Sequence, residues 1–177
     1  MSYLTKASSL ILRDSGWSPQ RKVDPSYWID SLKKTDFPIF EALINCLEKF
    51  GGLTITTLPF QERPFFIEKQ QAVILQRADP ILELSPNKSK AIELSQAEQW
   101  KSLHYLKNKH LEIAPIGVFR YAYPPPFDLF ILSNGNIFGG GRYWTVKEGD
   151  ERLGLFYLGN DVEDAINNTI EEFLAFW

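Results

Sequence analysis

Residues 40–55, FEALINCLEKFGGLTI, change their hydrophobic period halfway. Phe40, Leu43, Ile44, Leu47 and Phe50 recur at the spacing of a helix with one apolar stripe. Gly51 and Gly52 break that pattern, and LTITT alternates with the period of two that marks a half-buried strand. The helix is therefore predicted to stop at Gly51, with Leu53 able to fold back onto its last turn. A chain that passes from helix to strand so abruptly has to build a mixed architecture.

The other segments extend this reading. Leu4, Ala7, Leu10 and Ile11 share one face of a helix over 4–14, with Gly16 placed to end it in a left-handed conformation. Asp24-Pro25 then reads as an N-cap with proline in the first turn of a short helix through Trp28, Ile29 and Leu32. The crowded stretch GWSPQRKVDPSYW, residues 16–28, becomes a corner between two helices. After it, PFFIEKQQAVILQRA carries one or two β segments, and SPNKSK, 85–90, reads as a loop. Ser95 with Glu98 forms a capping box for a helix through Trp100, Leu103, Leu106 and Lys107. IAPIGVFRYAY, FDLFILS, NIFGG, RYWTVKE and LGLFYLG read as strands, with the Asn-Gly of SNGN as a tight hairpin. The last helix opens at Asn160 or Asp161 and gathers Val162, Ala165, Ile166, Ile170, Phe173 and Leu174 on one side. Helices first, an antiparallel sheet next and a closing helix make an α+β domain of about five to six mostly antiparallel strands, with the C-terminal helix on the sheet.

The 177 residues, 44% of them apolar, suffice for one domain over 1–177 with a sizeable core. One cysteine, Cys46, sits inside the apolar helix pattern, which excludes an internal disulfide and a cysteine-based zinc site. No segment has a signal peptide's h-region or the ~18 apolar residues of a membrane span, so a soluble cytoplasmic protein is expected, with no membrane partner. A net charge of −3 gives no footprint for direct nucleic-acid binding. Asp161, Glu163, Asp164, Glu171 and Glu172 nevertheless fall after Gly159, where there is no Lys or Arg.

Catalytic signatures are sparse. His104 and His110 are six residues apart and fall on different helix faces, which suits solvated histidines better than a metal pair. GNIFGGGR runs from strand to strand and lacks the helix N-terminus that would cradle a phosphate, so its glycines read as a bulge or a close sheet contact. No serine has a nucleophile elbow. No cofactor, metal or catalytic residue is assigned, and a non-enzymatic protein is expected.

The order of SGWSPQRKVD, a short helix and FEALINCLEKFGGLTI resembles the N-terminal half of one group of SUKH-superfamily immunity proteins. That group carries a Gly-Trp-x-Pro-x-Arg corner and a helix ending in Phe-Gly-Gly-Leu. APIGVFRYAYPPPFDLFILSNGNIFGG is similar to the family's Pro-Ile-Gly strand, its paired strand and the following hairpin. LGNDVEDAINNTI is similar to its closing helix. The likeness runs from about Leu4 to Phe173 and is weakest over 59–110. The proline triplet 124–126 and RYWTVKEGDERLG depart from the family pattern.

The resemblance implies a SUKH-like α+β immunity protein that neutralises a cognate secreted toxin by binding it. Many such toxins are nucleases with basic clefts. It implies no catalytic residues. Gly16, Trp17, Pro19, Arg21, Phe50, Gly51, Gly52, Leu53, Pro115 and Gly117 carry the family motifs and read as architecture: helix stops, a Trp17 core plug, and Arg21 on a carboxylate or a helix end. Loop residues Tyr121, Tyr123, Arg142, Tyr143 and Trp144 are candidate anchors for the toxin. Glu148, Asp150, Glu151, Glu171 and Glu172 form a candidate acidic surface. A monomer or weak dimer is expected. An intracellular scaffold or regulatory interaction module is the alternative.

Overall fold

The computed structural model describes residues 4–56, 81–93, 97, 104–120, 127–141 and 154–175. Three helices open the chain: α1 (Lys6–Asp14), α2 (Ser26–Lys34) and α3 (Glu41–Phe50). Strands β1 (Leu53–Thr56) and β2 (Ile81–Leu84) follow, then a 3-10 turn at Pro86–Lys88, α4 (Lys90–Glu93) and α5 (His104–Lys109). The chain continues through β3 (Ile113–Arg120), β4 (Phe127–Leu132), β5 (Ile137–Gly141) and β6 (Gly154–Gly159), and α6 (Val162–Ala175) closes it. The six strands form one sheet in the order β1 to β6, with each neighbouring pair antiparallel. The α+β architecture expected from the sequence is the one observed.

Helical layers lie against both faces of the sheet, and β4 shows how. Its residues are buried from end to end, whereas a sheet with one wet face would alternate. Ile131 points toward Cys46 and Phe50 of α3 and Val162 of α6. The next face belongs to Asp128, whose carboxylate accepts a 3.0 Å hydrogen bond from the Ala91 amide at the start of α4. Asp128 is only 8% exposed. It shares that helix-start amide with the Ser89 hydroxyl, so the buried N–H and the buried carboxylate are both paired.

On the α3 and α6 face, aromatic rings cross the sheet. Phe119 and Phe127 face each other on β3 and β4 with centroids 5.0 Å apart, and Phe127 meets Phe156 of β6 edge-on at 4.9 Å. β5 lies between those last two strands, and Gly139 makes the contact possible: any Cβ there would occupy the space of the Phe156 ring. The glycine-rich β5 is thus a close sheet contact. On β3, the register shifts between Pro115 and Gly117, and a side chain at Gly117 would run into the Glu83 backbone carbonyl of β2.

Three helices end in the same way. An amide two or three residues past the helix reaches back to the carbonyl five residues earlier: Trp17 to Leu12 after α1, Phe37 to Leu32 after α2, Leu111 to Leu106 after α5. This ending needs a left-handed residue just before the reaching amide. Gly16, Asp36 and His110 occupy that place, with φ of 87°, 59° and 52°. The glycine was legible as a stop. Asp36 and His110 were not, and His110 lies past its helix, exposed.

Two expectations are corrected. Leu10 does not face inward; it is 51% exposed, and α1 buries Ser8, Ile11 and Leu12. Ser8 can be buried because Thr5, the N-cap, hydrogen-bonds both its amide and its hydroxyl, which removes the penalty for a polar residue inside. The segment 85–90 is not wholly loop, because it forms the 3-10 turn and opens α4 at Lys90, with the Ser89 hydroxyl accepting from the Ala91 amide. Ser95 and Glu98 lie outside the described residues, as do PFFIEKQQAVILQRA and RYWTVKE. β2 had no counterpart in the sequence reading.

Gly16 and Gly51 separate two kinds of glycine requirement. A Cβ at Gly16 would touch nothing within 4 Å, whereas at Gly51 it would sit 2.5 Å from the Leu47 carbonyl oxygen and 2.7 Å from the Trp28 ring. Gly16→Ala is expected to lose about 1 kcal/mol, from the left-handed backbone alone. Gly51→Ala is expected to lose about 2–3 kcal/mol because backbone and ring must move. Urea denaturation of the two variants checks this ranking.

Candidate functional site

The corner between α1 and α2 is stapled to the end of α3. Trp17 is buried and stacks on Phe50, with centroids 6.0 Å apart and planes 8° from parallel. Its indole N–H is buried without a hydrogen-bond partner among the described residues. Arg21 donates one 2.9 Å bond to the Lys49 carbonyl and another to the Gly51 carbonyl. Those oxygens have no partner within their own helix, and a cation at a helix C-terminus also opposes the negative end of its dipole. The Val23 amide adds a bond to the Glu48 carbonyl at 2.9 Å. Pro19 is exposed on the outside of the corner.

Trp28 of α2 lies over the backbone of Gly51 and Gly52, and its indole N–H reaches the Ser85 hydroxyl at 3.2 Å. Gly52 is left-handed, with φ 78°, and its amide donates to the Leu84 carbonyl of β2 at 2.7 Å. Leu53 is buried as the first residue of β1. Trp17, Arg21, Phe50, Gly51 and Gly52 thus tie the α1–α2 corner, α2 and the end of α3 to one another and to β2.

The sequence-derived interface candidates lie elsewhere. Tyr121, Tyr123, Arg142, Tyr143, Trp144, Glu148, Asp150 and Glu151 all fall outside the described residues. Glu171 and Glu172 lie on the second half of α6, a helix with no basic residue in its last turn. At its start, Asp161 caps the helix by accepting from the Asp164 amide at 2.8 Å. Asp164 accepts in turn from the backbone and side-chain nitrogens of Asn160 at 2.9 and 3.1 Å. The opening acids are thus partly structural. Behind them, the Asn168 side chain donates to the Leu158 carbonyl, and Asn167 accepts from the Thr5 amide, which ties the start of α1 to α6.

A hollow of about 170 Å³ opens between α3, the β4–β5 turn and the start of α6. Cys46, Phe50, Ile131 and Val162, all buried, form its floor. Its rim carries exposed Asn45 and Lys49 and half-buried Asp161 and Glu163. Partial burial first, and then Asp161, hold the Glu163 carboxyl above its ordinary value, with Lys49 pulling the other way. Residues from α3 and α6 meet here across more than a hundred positions, so no local sequence pattern could have disclosed the hollow.

Cys46 on that floor is not a nucleophile in waiting. Burial pushes its thiol up to about 12, against a small opposing effect of Lys49. Among the described residues, no group of three or more His, Cys, Asp or Glu is arranged to hold a metal ion, and no helix is long and apolar enough to cross a membrane. Among the described residues, the exposed large apolar side chains Leu10, Tyr27 and Tyr157 belong to three different elements.

Comparison with known proteins supplies the family. Residues 4–172 match the family described as SUKH-3 immunity protein. No curated protein and no solved structure gives a significant match. The chain belongs to the SUKH-3 immunity protein family.

Only the thiolate of a cysteine attacks alkylating reagents. The folded protein is therefore expected to leave Cys46 unmodified by iodoacetamide at pH 8, and denaturation should expose one reactive thiol. Mass spectrometry before and after addition of guanidinium reads the difference.

Proposed function

We propose that this chain neutralises a cognate protein toxin by binding it, through surface contacts and without turnover. The observation that carries this reading is the family match, which spans nearly the whole chain and covers the helical corner, the sheet and the closing helix. The disposition of polar groups supports it. Arg21, Asp128, Asn167 and Asp161 are each engaged in holding secondary structure, and the buried thiol is protonated at neutral pH. The resources of this sequence go into shape.

Neutralising a few copies of a lethal protein requires a Kd near 1 nM, about −12 kcal/mol. Affinity of that order rests on a few well-desolvated anchors, while complementary charge raises the association rate. The acids of α6 and the absence of Lys or Arg from 159–177 suit a basic partner, such as a nuclease whose cleft binds nucleic acid. Glu171 and Glu172, together with Glu148, Asp150 and Glu151, are the acidic surface in this reading. Tyr121, Tyr123, Arg142, Tyr143 and Trp144 are its aromatic and arginine anchors. The reading places the protein in the cytoplasm, as one domain acting as a monomer or weak dimer.

Co-expression with the product of the neighbouring gene, as the candidate toxin, tests the reading directly. Growth should be restored and the two proteins should co-purify. Constitutive capture of several host proteins, with no protection from the toxin, would favour a scaffold instead. Reversing Glu171 and Glu172 to Lys is expected to slow association about tenfold at low salt, with a smaller effect at 0.5 M salt where charges are screened. Surface plasmon resonance at the two ionic strengths measures it, and an unchanged on-rate at low salt removes this surface from the interface.

A further inference from the structure

The hollow between α3 and the start of α6 has a size that limits what it can take. At about 170 Å³ it falls below the ~300–1,000 Å³ of sites for metabolites and cofactors. It is close to the roughly 150 Å³ that holds one benzene ring. A single large side chain is the natural occupant. The floor is apolar and the rim is charged, with two carboxylates against one ammonium.

The two carboxylates are not equivalent. Asp161 is committed to the Asp164 amide as the cap of α6. Glu163 makes no hydrogen bond or ion pair among the described residues, although it is half-buried. A partly desolvated carboxylate with free lone pairs beside an apolar floor calls for a ligand that is cationic at its tip and greasy along its stem. Arginine has that build: its planar fork fits a carboxylate with two parallel hydrogen bonds, and its stem packs on apolar surface. Arginine is also among the residues that dominate interface energetics.

We propose that this hollow is the socket for one arginine side chain of the partner protein, its stem against Phe50 and Val162 and its guanidinium on the Glu163 carboxylate. The proposal rests on the reading of this chain as a binder of a basic protein toxin. Lys49 on the opposite rim is exposed and keeps its ammonium in water while the arginine enters. It opposes the incoming charge, which gives the proposal a signature of its own.

Glu163 is retained at some expense to folding. Its carboxyl is held above its ordinary value in the folded chain, so stability falls as pH rises from the unfolded to the folded value and the deficit persists at pH 7. Glu163→Gln should therefore leave the melting temperature at pH 7 unchanged or slightly raised. A residue placed for structure would lower it.

The test uses the full chain and a catalytically inactivated form of the toxin that the co-expression assay identifies, with Kd measured by calorimetry or surface plasmon resonance. Glu163→Gln should weaken binding about ten- to a hundredfold, mostly in the off-rate, as expected for loss of one charge-assisted pair. Asn45→Trp, which fills the mouth from an exposed position, should weaken it at least as much. Lys49→Ala should leave binding unchanged or tighten it. Loss with Asn45→Trp but not with Glu163→Gln overturns the arginine assignment. So does weakening by Lys49→Ala with tightening by Glu163→Gln, which would mean an anionic occupant. Wild-type affinity in both Asn45→Trp and Glu163→Gln overturns the socket while leaving the toxin-binding reading intact. Failure of the wild-type chain to bind that toxin at all overturns both.

Discussion

The end of α3 is the constraint on which the rest of the molecule is built. Within three residues the chain must stop a helix, turn and begin an edge strand. The helix's last carbonyls must find donors while this happens. Arg21 reaches in from the α1–α2 corner to supply two of them, Trp28 closes over the glycine backbone, and the Gly52 amide bonds to β2. One junction therefore fixes the orientation of α1, α2, α3 and the first two strands together. It also explains why glycine is needed at Gly51 for space and at Gly52 for its left-handed backbone.

Beyond that junction the central strands β3 and β4 are buried on both faces, whereas β1 alternates between buried and exposed residues. Several polar groups that enter this interior arrive paired, whereas the Trp17 indole N–H has no partner among the described residues. Asp128 takes up the Ala91 amide, Ser8 exchanges bonds with Thr5, and Asn167 links α6 to the first turn of α1. Each spans a gap that apolar packing could not bridge, because a buried amide or hydroxyl left alone costs on the order of 1–3 kcal/mol.

What could be read from the chain beforehand follows from the range of the interaction involved. The α3 stripe, the SNGN hairpin and the strands β3, β4 and β6 announce themselves through period and turn chemistry, which are local. The Asn134-Gly135 turn forms with Gly135 at φ 93° and the Leu132 amide bonded to the Asn136 carbonyl. β2 escaped because four residues between prolines, with Glu83 in the middle, carry too few alternations to be recognised. Its identity as a strand comes from pairing with β1 and β3. The orientation of α1 escaped for a related reason: counting apolar residues chose Leu10, whereas the cap chemistry of Thr5 brought Ser8 inside. Asp128 and the hollow beside Cys46 depend on residues 37 and more than a hundred positions apart, and no window of sequence contains both partners.

If the proposed function holds, the protein acts by occupying its partner, and its effect should follow stoichiometry. Titrating the protein into a fixed concentration of the active toxin, well above their Kd, tests that claim most directly. Toxin activity should fall in a straight line to zero at one equivalent of the partner and return when the complex is dissociated. Complete and lasting inactivation of the toxin by a hundredth of an equivalent would show turnover and would contradict the account.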